Sequence, residues 1–255
     1  MPSLKTNEGD RSPYDDASSE NVVTSVPSVP VTVERRPFIE ADDDDERLPH
    51  PGTTRANTAP SYEQPHGTTI DHWSEQHKNS TVLQQHLDFF DRDKDGIIWP
   101  FDTYIGFRRL GFSIWFSLLS VFIIHVNMSY ATLKSYIPDP FFRINLDNIH
   151  KAKHGSDSNT YDTEGRFSPQ KFEDIFSKYS TDKESLTVGD ISNLLKGQRL
   201  LSDPIGWFGA FFEWGVTYLM IWPEDGRLKK EHVRRVYDGS LFYHIAAKRQ
   251  RASRS

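Results

Sequence analysis

The stretch Asp91-Arg92-Asp93-Lys94-Asp95-Gly96-Ile97-Ile98-Trp99-Pro100-Phe101-Asp102 sets three carboxylates at alternate positions ahead of a glycine. Numbered from Asp91, it places side-chain oxygens of Asp91, Asp93 and Asp95 at loop positions 1, 3 and 5. Gly96 at position 6 permits a sharp turn, and the Ile97 carbonyl falls at position 7. A hard cation needs a shell of oxygens, and this spacing wraps one around a single point. The pattern predicts a calcium loop between two helices, with Ile98 forming the short strand that pairs two such loops. Asp102 stands at position 12, where a bidentate glutamate is usual. Its shorter side chain predicts weakened calcium affinity and better tolerance of magnesium. The opposing reading is an acidic surface turn that binds nothing.

Working outward, Thr81 and Gln84 form a capping-box pattern, and Leu83, Leu87 and Phe90 share one helical face, as an entering helix requires. His86 sits at the edge of that face. Phe101, Tyr104 and Ile105 begin an exiting helix that runs toward Arg108 and Arg109. An uncharged run follows over residues 110–126, apolar except for three serines and His125. A bilayer span wants about 20 predominantly apolar residues, so this run is marginal. It reads as a membrane-associating segment with Arg108 and Arg109 at its cytosolic edge, against the alternative of a buried core helix. Pro138 and Pro140 then break the chain before Phe141 and Phe142.

Residues 1–75 are rich in Pro, Ser, Thr, Asp and Glu, with few large apolar residues at any period, which predicts a disordered acidic head. Order is expected from near Thr81. Beyond Arg143 the chain reads as soluble and helical. Asp147 and Gly155 bracket a short helix carrying His150 and His154 on one face. Ser168-Pro169, Thr187 and Asp203-Pro204 each start another helix, and two short ones follow around 233–237 and 241–247. The segment from Tyr161 to Phe167 resembles half of a second hand; with Thr160 and Lys171 at its ends it cannot hold calcium, and it is expected to pack against the first. The aromatic stretch 207–218 reads as core packing, pocket lining or an interfacial anchor, with Glu213 the unusual residue in it.

The chain has 255 residues, a formal net charge of −6 and no cysteine. Disulfides, thiolate zinc sites, iron–sulfur clusters and a cysteine nucleophile are therefore excluded. Any haem would be held by His, Tyr or Met. The mild acidity gives no nucleic-acid footprint, and the first residues show no secretory signal. His150 and His154 could bind zinc together, but no HExxH glutamate or third ligand accompanies them.

The segments LQQHLDFFDRDKDGIIWP, GFRRLGF, NIHKAKHGSDSNTYDTEGRF, FEDIFSKY, DPIGWFGAFFEW and YDGSLF, taken together and in this order, resemble the caleosin/peroxygenase family from about residue 80 to 245. Trp99 and the acidic head look more like the fungal members. The resemblance implies a monotopic protein of lipid droplets and endoplasmic-reticulum membranes, facing the cytosol and binding calcium through Asp91, Asp93, Asp95, Ile97 and Asp102. It also implies a haem peroxygenase that moves oxygen from fatty-acid hydroperoxides to unsaturated fatty acids, with His86 and His150 as the haem histidines. His154 is then a candidate acid–base group for peroxide cleavage. Because His86 leads into the calcium loop, cation binding is expected to order the haem site.

One departure concerns the family's proline knot, the turn at the tip of its apolar hairpin. Only Pro138 and Pro140 remain, with Leu133 and Arg143 at the flanking proline positions and Lys134 and Asp139 nearby. Charges deep in hydrocarbon are costly, so a shallow, interfacial attachment is expected, anchored by Phe141 and Phe142. The expected fold is mainly α. It has a disordered head (1–75), an EF-hand (76–109), an apolar membrane-associating segment (110–142), a helical C-terminal domain with a degenerate hand (143–247) and a basic tail (248–255). The functional alternative is a non-catalytic, calcium-regulated coat or tether of lipid droplets.

Overall fold

The computed structural model describes residues 48–252, and the chain over this range is mainly helical. A short α1 (Trp73–Gln76) precedes α2 (Val82–Asp88), which opens on the expected capping box: Gln84 N donates to the Thr81 hydroxyl and Thr81 N to the Gln84 side chain. The acidic loop contains β1 (Ile97–Ile98) and leads into α3 (Pro100–Arg109), whose proline start needs no N–H partner. Next, α4 (Ile114–Ala131) is capped by Ser113. A proline-containing loop passes through β2 (Ile144–Asn145) into a 3-10 helix, Leu146–Ala152.

The same form then repeats. α5 (Pro169–Tyr179) and α6 (Val188–Gln198) flank β3 (Ser185–Leu186), while α7 (Pro204–Ile221) and α8 (Lys230–Tyr237) flank β4 (Leu228–Lys229). The last element described is α9 (Ser240–Ala252). The strands join antiparallel in two pairs. β1 and β2 meet through Ile98↔Ile144, and β3 and β4 through Leu186↔Leu228. Each pair sits in its own core. Ile98 and Ile144 pack with Phe89, Phe90, Phe107 and Leu110. Leu186 and Leu228 pack with Phe167, Phe172, Ile175 and Phe176.

α4 is built inside out. Its buried residues are Ser117, Ser120, His125 and Ser129, whereas Trp115 is 81% exposed and Phe122 67%. The buried side chains are satisfied: the Ser117 and Ser120 hydroxyls donate back to the carbonyls of Ser113 and Phe116, and Ser129 donates to the Arg143 carbonyl. Among the described residues α4 is the one helix long and apolar enough to cross a membrane.

Several expectations change. Residues 1–47 lie outside the described part, but 48–75 are packed rather than free. Arg55 and Phe167 form a β-bridge, and Leu48, Ala59 and Trp73 are buried. Composition missed this because the segment adheres through isolated apolar residues, backbone groups and a distant ion pair, with no apolar period. The strand partner of the acidic loop is the proline loop, not Tyr161–Phe167. The latter is a tight turn closed by its own bridge, and it meets α2 where Leu83 N donates to the Gly165 carbonyl. The 3-10 helix ends at Ala152, so His150 and His154 do not share a helical face. Of the basic tail, residues 248–252 continue α9.

Candidate functional site

Two groups of side chains carry chemistry. The first is the acidic loop. Asp91, Asp93 and Asp95 each offer a carboxylate oxygen, and the three atoms lie within 4.8 Å of one another. Backbone N–H groups fold the loop around them: Gly96 N donates to Asp91 Oδ2 at 3.0 Å and Ile97 N to Asp95 Oδ1 at 2.8 Å. Gly96 holds a φ of +79°, which glycine adopts without strain. Asp91 Oδ1 is buried with no hydrogen-bond partner, and burial raises the Asp91 pKa. An orphaned carboxylate oxygen facing two other carboxylates fits a hard cation. Asp102 stands outside this trio: it accepts from Trp99 N at 3.1 Å and lies 3.3 Å from an Arg92 nitrogen.

The second is a cavity of about 350 Å³ between α2, α4, α7 and the α8–α9 turn. Its walls are mostly apolar, with His86, His154, Asp157, Tyr161 and Glu213 as the polar groups that matter most. His86 reaches it from α2. Its Nδ1 donates to the Val236 carbonyl at 2.7 Å, because a carbonyl can only accept. Surrounding protein lowers the His86 pKa, so a neutral ring with its Nδ1–H committed leaves Nε2 as a free electron-pair donor. Phe242 and Tyr161 set the ring edge-on at centroid distances of 5.1 and 6.4 Å. The position depends on Gly239: a Cβ there would stand 2.3 Å from the Gln85 carbonyl oxygen, so only glycine lets the α8–α9 turn rest on α2.

His154 enters from the loop after the 3-10 helix. Its Nε2 is 3.7 Å from Glu213 Oε2 on α7, an ion-pair distance rather than a direct hydrogen bond, and the Glu213 carboxylate raises its pKa. His154 Nδ1 is buried and unpartnered. Tyr161 donates to the Tyr237 carbonyl at 2.6 Å, and burial pushes its phenol well above the ordinary range, so it remains protonated.

Of the histidines singled out from sequence, His86 lines the cavity and His150 does not; His154 does, although its spacing offered only a weak signal. Glu213, noted as unusual in an aromatic stretch, is the partner of His154. Asp88, missed by the sequence reading, ties α2 to α9 and the loop: Tyr243 donates to it at 2.6 Å and Lys94 lies 2.7 Å away. Sequence separation hid that cluster.

Comparison with known proteins gives a consistent result. Residues 78–246 match the family model described as "Caleosin related protein". The chain is 43% identical to a protein named "Peroxygenase" from Lilium longiflorum over 238 residues, covering 93% of this chain and 96% of that one. It is 40% identical to "Probable peroxygenase 4" of Arabidopsis thaliana, covering 70% and 91% of the two chains. It is also 34% identical to a "Probable inactive peroxygenase-like protein" of Arabidopsis thaliana, covering 58% and 71%. No solved structure matches.

Proposed function

The chain belongs to the caleosin family, and from that premise we propose that it is a calcium-binding haem peroxygenase working at a lipid surface. It is an oxidoreductase of the peroxygenase type. The observation that carries the haem reading is the pair of imidazoles facing one apolar cavity. His86 is neutral with its outer nitrogen fixed by Val236, the arrangement an axial ligand needs, and the orphaned His154 Nδ1 lacks a partner that a bound group would supply. We therefore assign His86 as the haem ligand and His154 as the second histidine of the haem pocket, in place of the His86 and His150 expected from the resemblance.

Bound haem would supply cleavage of the hydroperoxide O–O bond and delivery of one oxygen to a double bond. The chain's own residues do the rest. His154, held beside Glu213, is placed to carry a proton next to the cavity, and the Glu213 carboxylate favours its charged form. Tyr161 stays protonated. Ile123, Ile124 and Met128 of α4 and Phe208, Phe212 and Val216 of α7 offer an apolar wall suited to an acyl chain and exclude water. Fatty-acid hydroperoxides and unsaturated fatty acids are the substrates this wall suits.

The inside-out α4 supports a lipid surface as the working environment. A helix that turns serines and a histidine inward and Trp115, Leu119 and Phe122 outward is solvated better by lipid than by water. The droplet monolayer or endoplasmic-reticulum membrane is the proposed partner. Lys134 paired with Asp147 and Arg143 paired with Asp139 keep the loop tip polar, which favours shallow attachment. The inactive name of one relative keeps the non-catalytic coat as the second reading.

The test is the visible spectrum of detergent-purified protein reconstituted with haem, beside His86→Ala, His154→Ala and His150→Ala. A Soret band that weakens or shifts in the first two and survives in the third is expected. Loss in His150→Ala alone would overturn the assignment, and no band in folded wild type would favour the coat.

A further inference from the structure

The two strand pairs expose a hidden repeat. If Ile98 is position 8 of the acidic loop, its strand partner Ile144 is position 8 of a loop spanning 137–148. Leu186 and Leu228 occupy the same place in loops 179–190 and 221–232. Position 6 keeps a left-handed backbone in three of the four: φ is +79° at Gly96, +52° at Phe142 and +72° at Gly226. A phenylalanine in that region is strained, and the fold retains it. The apolar helix α4 is therefore the entering helix of a second hand, and the proline loop is that hand's loop.

This second loop carries no set of cation ligands. Ile137 and Phe141 stand at positions 1 and 5. Its only carboxylate among the first five positions, Asp139, is taken up by Arg143 at position 7: Nε donates to Oδ2 at 2.8 Å and Nη2 to Oδ1 at 3.2 Å. Asp139 also accepts from the backbone N–H groups of Phe141 at 3.2 Å and Arg143 at 2.9 Å. The guanidinium does within the loop what a cation does in its neighbour.

Beyond the strand pair, two side-chain contacts tie this loop to the acidic loop and its exiting helix. Arg143 lies over the Trp99 ring at 5.1 Å and over the Phe141 ring at 5.6 Å, and the two rings are 5.9 Å apart. Trp99 caps α3, the helix leaving the acidic loop. Separately, His125 on α4 bridges Thr103 of α3 and the Phe142 carbonyl, 2.7 Å on each side. Movement of α3 on cation binding thus reaches Phe141 through Trp99 and Phe142 through His125.

We propose that loop 137–148 is a cation-free partner hand, clamped by Arg143–Asp139, through which calcium on loop 91–102 sets the presentation of Phe141 and Phe142 to a lipid surface. The inference rests on the calcium reading above and goes beyond it. Fixing the two exposed rings before they meet lipid removes part of the ordering cost of attachment, so calcium should strengthen it. By reciprocity, loosening the clamp should weaken calcium binding.

The test uses the full chain in three parallel measurements with and without calcium: calorimetry, hydrogen exchange of peptides covering 137–148, and flotation with triolein emulsions coated in uncharged phosphatidylcholine. In wild type, calcium should slow exchange around 141–145 and raise the emulsion-bound ratio about fivefold, the low end for coupled sites. Trp99→Ala should keep calcium heat but lose most of both responses. Arg143→Gln should lower calcium affinity by a similar factor, with Arg143→Lys restoring little, since the fork and not the charge grips Asp139. Calcium heat with unchanged exchange and flotation would overturn the coupling and leave the calcium site standing. Absence of any calcium heat would overturn both.

Discussion

Replacing Arg234 by alanine should be among the costliest changes outside the cavity. Its side chain is 1% exposed, in contact with a carboxylate, Asp238, that is also 1% exposed. The guanidinium donates to the Ala59 carbonyl at 2.7 Å, to Thr68 Oγ1 at 2.9 Å and to Asp238 Oδ2 at 3.4 Å. Its bond to Glu231 at 2.6 Å reaches a half-exposed carboxylate and adds little. Alanine leaves Asp238 with only Thr68 and Ser240 as partners. Removing one side of a buried pair costs about 3–5 kcal/mol. Asp238 recovers part of this by taking up a proton, since burial already raises its pKa. An expected loss of about 4 kcal/mol would consume much of a typical stability of about 5–15 kcal/mol. Urea unfolding followed by circular dichroism measures it. Limited proteolysis should show cleavage around residues 59–68 rising first, because Arg234 holds the Ala59 carbonyl and Thr68, while Arg55, Asn57 and Glu63 keep their own contacts. Haem affinity should fall as well: Arg234 lies two residues before Val236, whose carbonyl orients His86. The double variant Arg234→Ala/Asp238→Asn should cost clearly less than the sum of the single changes. A loss below about 1 kcal/mol, or strict additivity, would refute the account of a coupled buried pair.

Other outcomes follow from the same geometry. The raised His154 pKa means the folded state favours its charged form; that stabilisation is complete below the ordinary imidazole pKa and is lost as pH rises through the folded one. Glu213→Gln should therefore shift His154 deprotonation to lower pH, seen by imidazole proton resonances of the haem-free protein. Gly239→Ala combines a φ of +77° with a Cβ 2.3 Å from a backbone oxygen, and should cost about 2 kcal/mol or more together with haem affinity, checked by unfolding and haem titration. Asp102→Glu lengthens the position-12 side chain and should tighten calcium binding about tenfold, or about 1.4 kcal/mol, while reducing competition by magnesium, read by calorimetry.

Local chemistry was the part of the fold legible in sequence. The capping box at Thr81, the prolines opening α5 and α7, and the acidic loop all act within a few residues, so their patterns survive without tertiary context. Pairing was not legible in the same way. Tyr161–Phe167 looked like the second hand because it has a glycine beside acidic residues. The actual partner, 137–148, keeps only the backbone of a hand, with a strained phenylalanine at the turn and an arginine for the ion. The packed segment 48–75 escaped for a related reason: its anchors are isolated apolar residues, backbone carbonyls and distant partners such as Arg234, Lys230 and Glu173, which leave no hydrophobic period. Within the site, His86 was found through resemblance; His154 was singled out as an acid–base candidate, but its partner Glu213 on α7 lies far along the chain and left no pattern in the sequence.

The polarity of α4 links these observations. Were α4 a core helix of a water-soluble protein, its apolar side would face inward and its serines outward. The reverse holds, and the buried serines and His125 are satisfied by nearby backbone carbonyls and by Thr103. The polar face thus meets α3 and the proline loop, and the outward apolar face is the one that the proposed lipid surface would cover. α7, on the other side of the cavity, likewise exposes Ile205, Phe208 and Phe211, while its single acid, Glu213, meets His154. Two helices that present apolar surface outward and line the same apolar cavity would, on the proposed lipid-surface reading, make the lipid phase a direct source of substrate. An acyl chain entering from that phase would then trade one apolar environment for another, which leaves the binding energy to come from the polar end that meets His154 and Glu213.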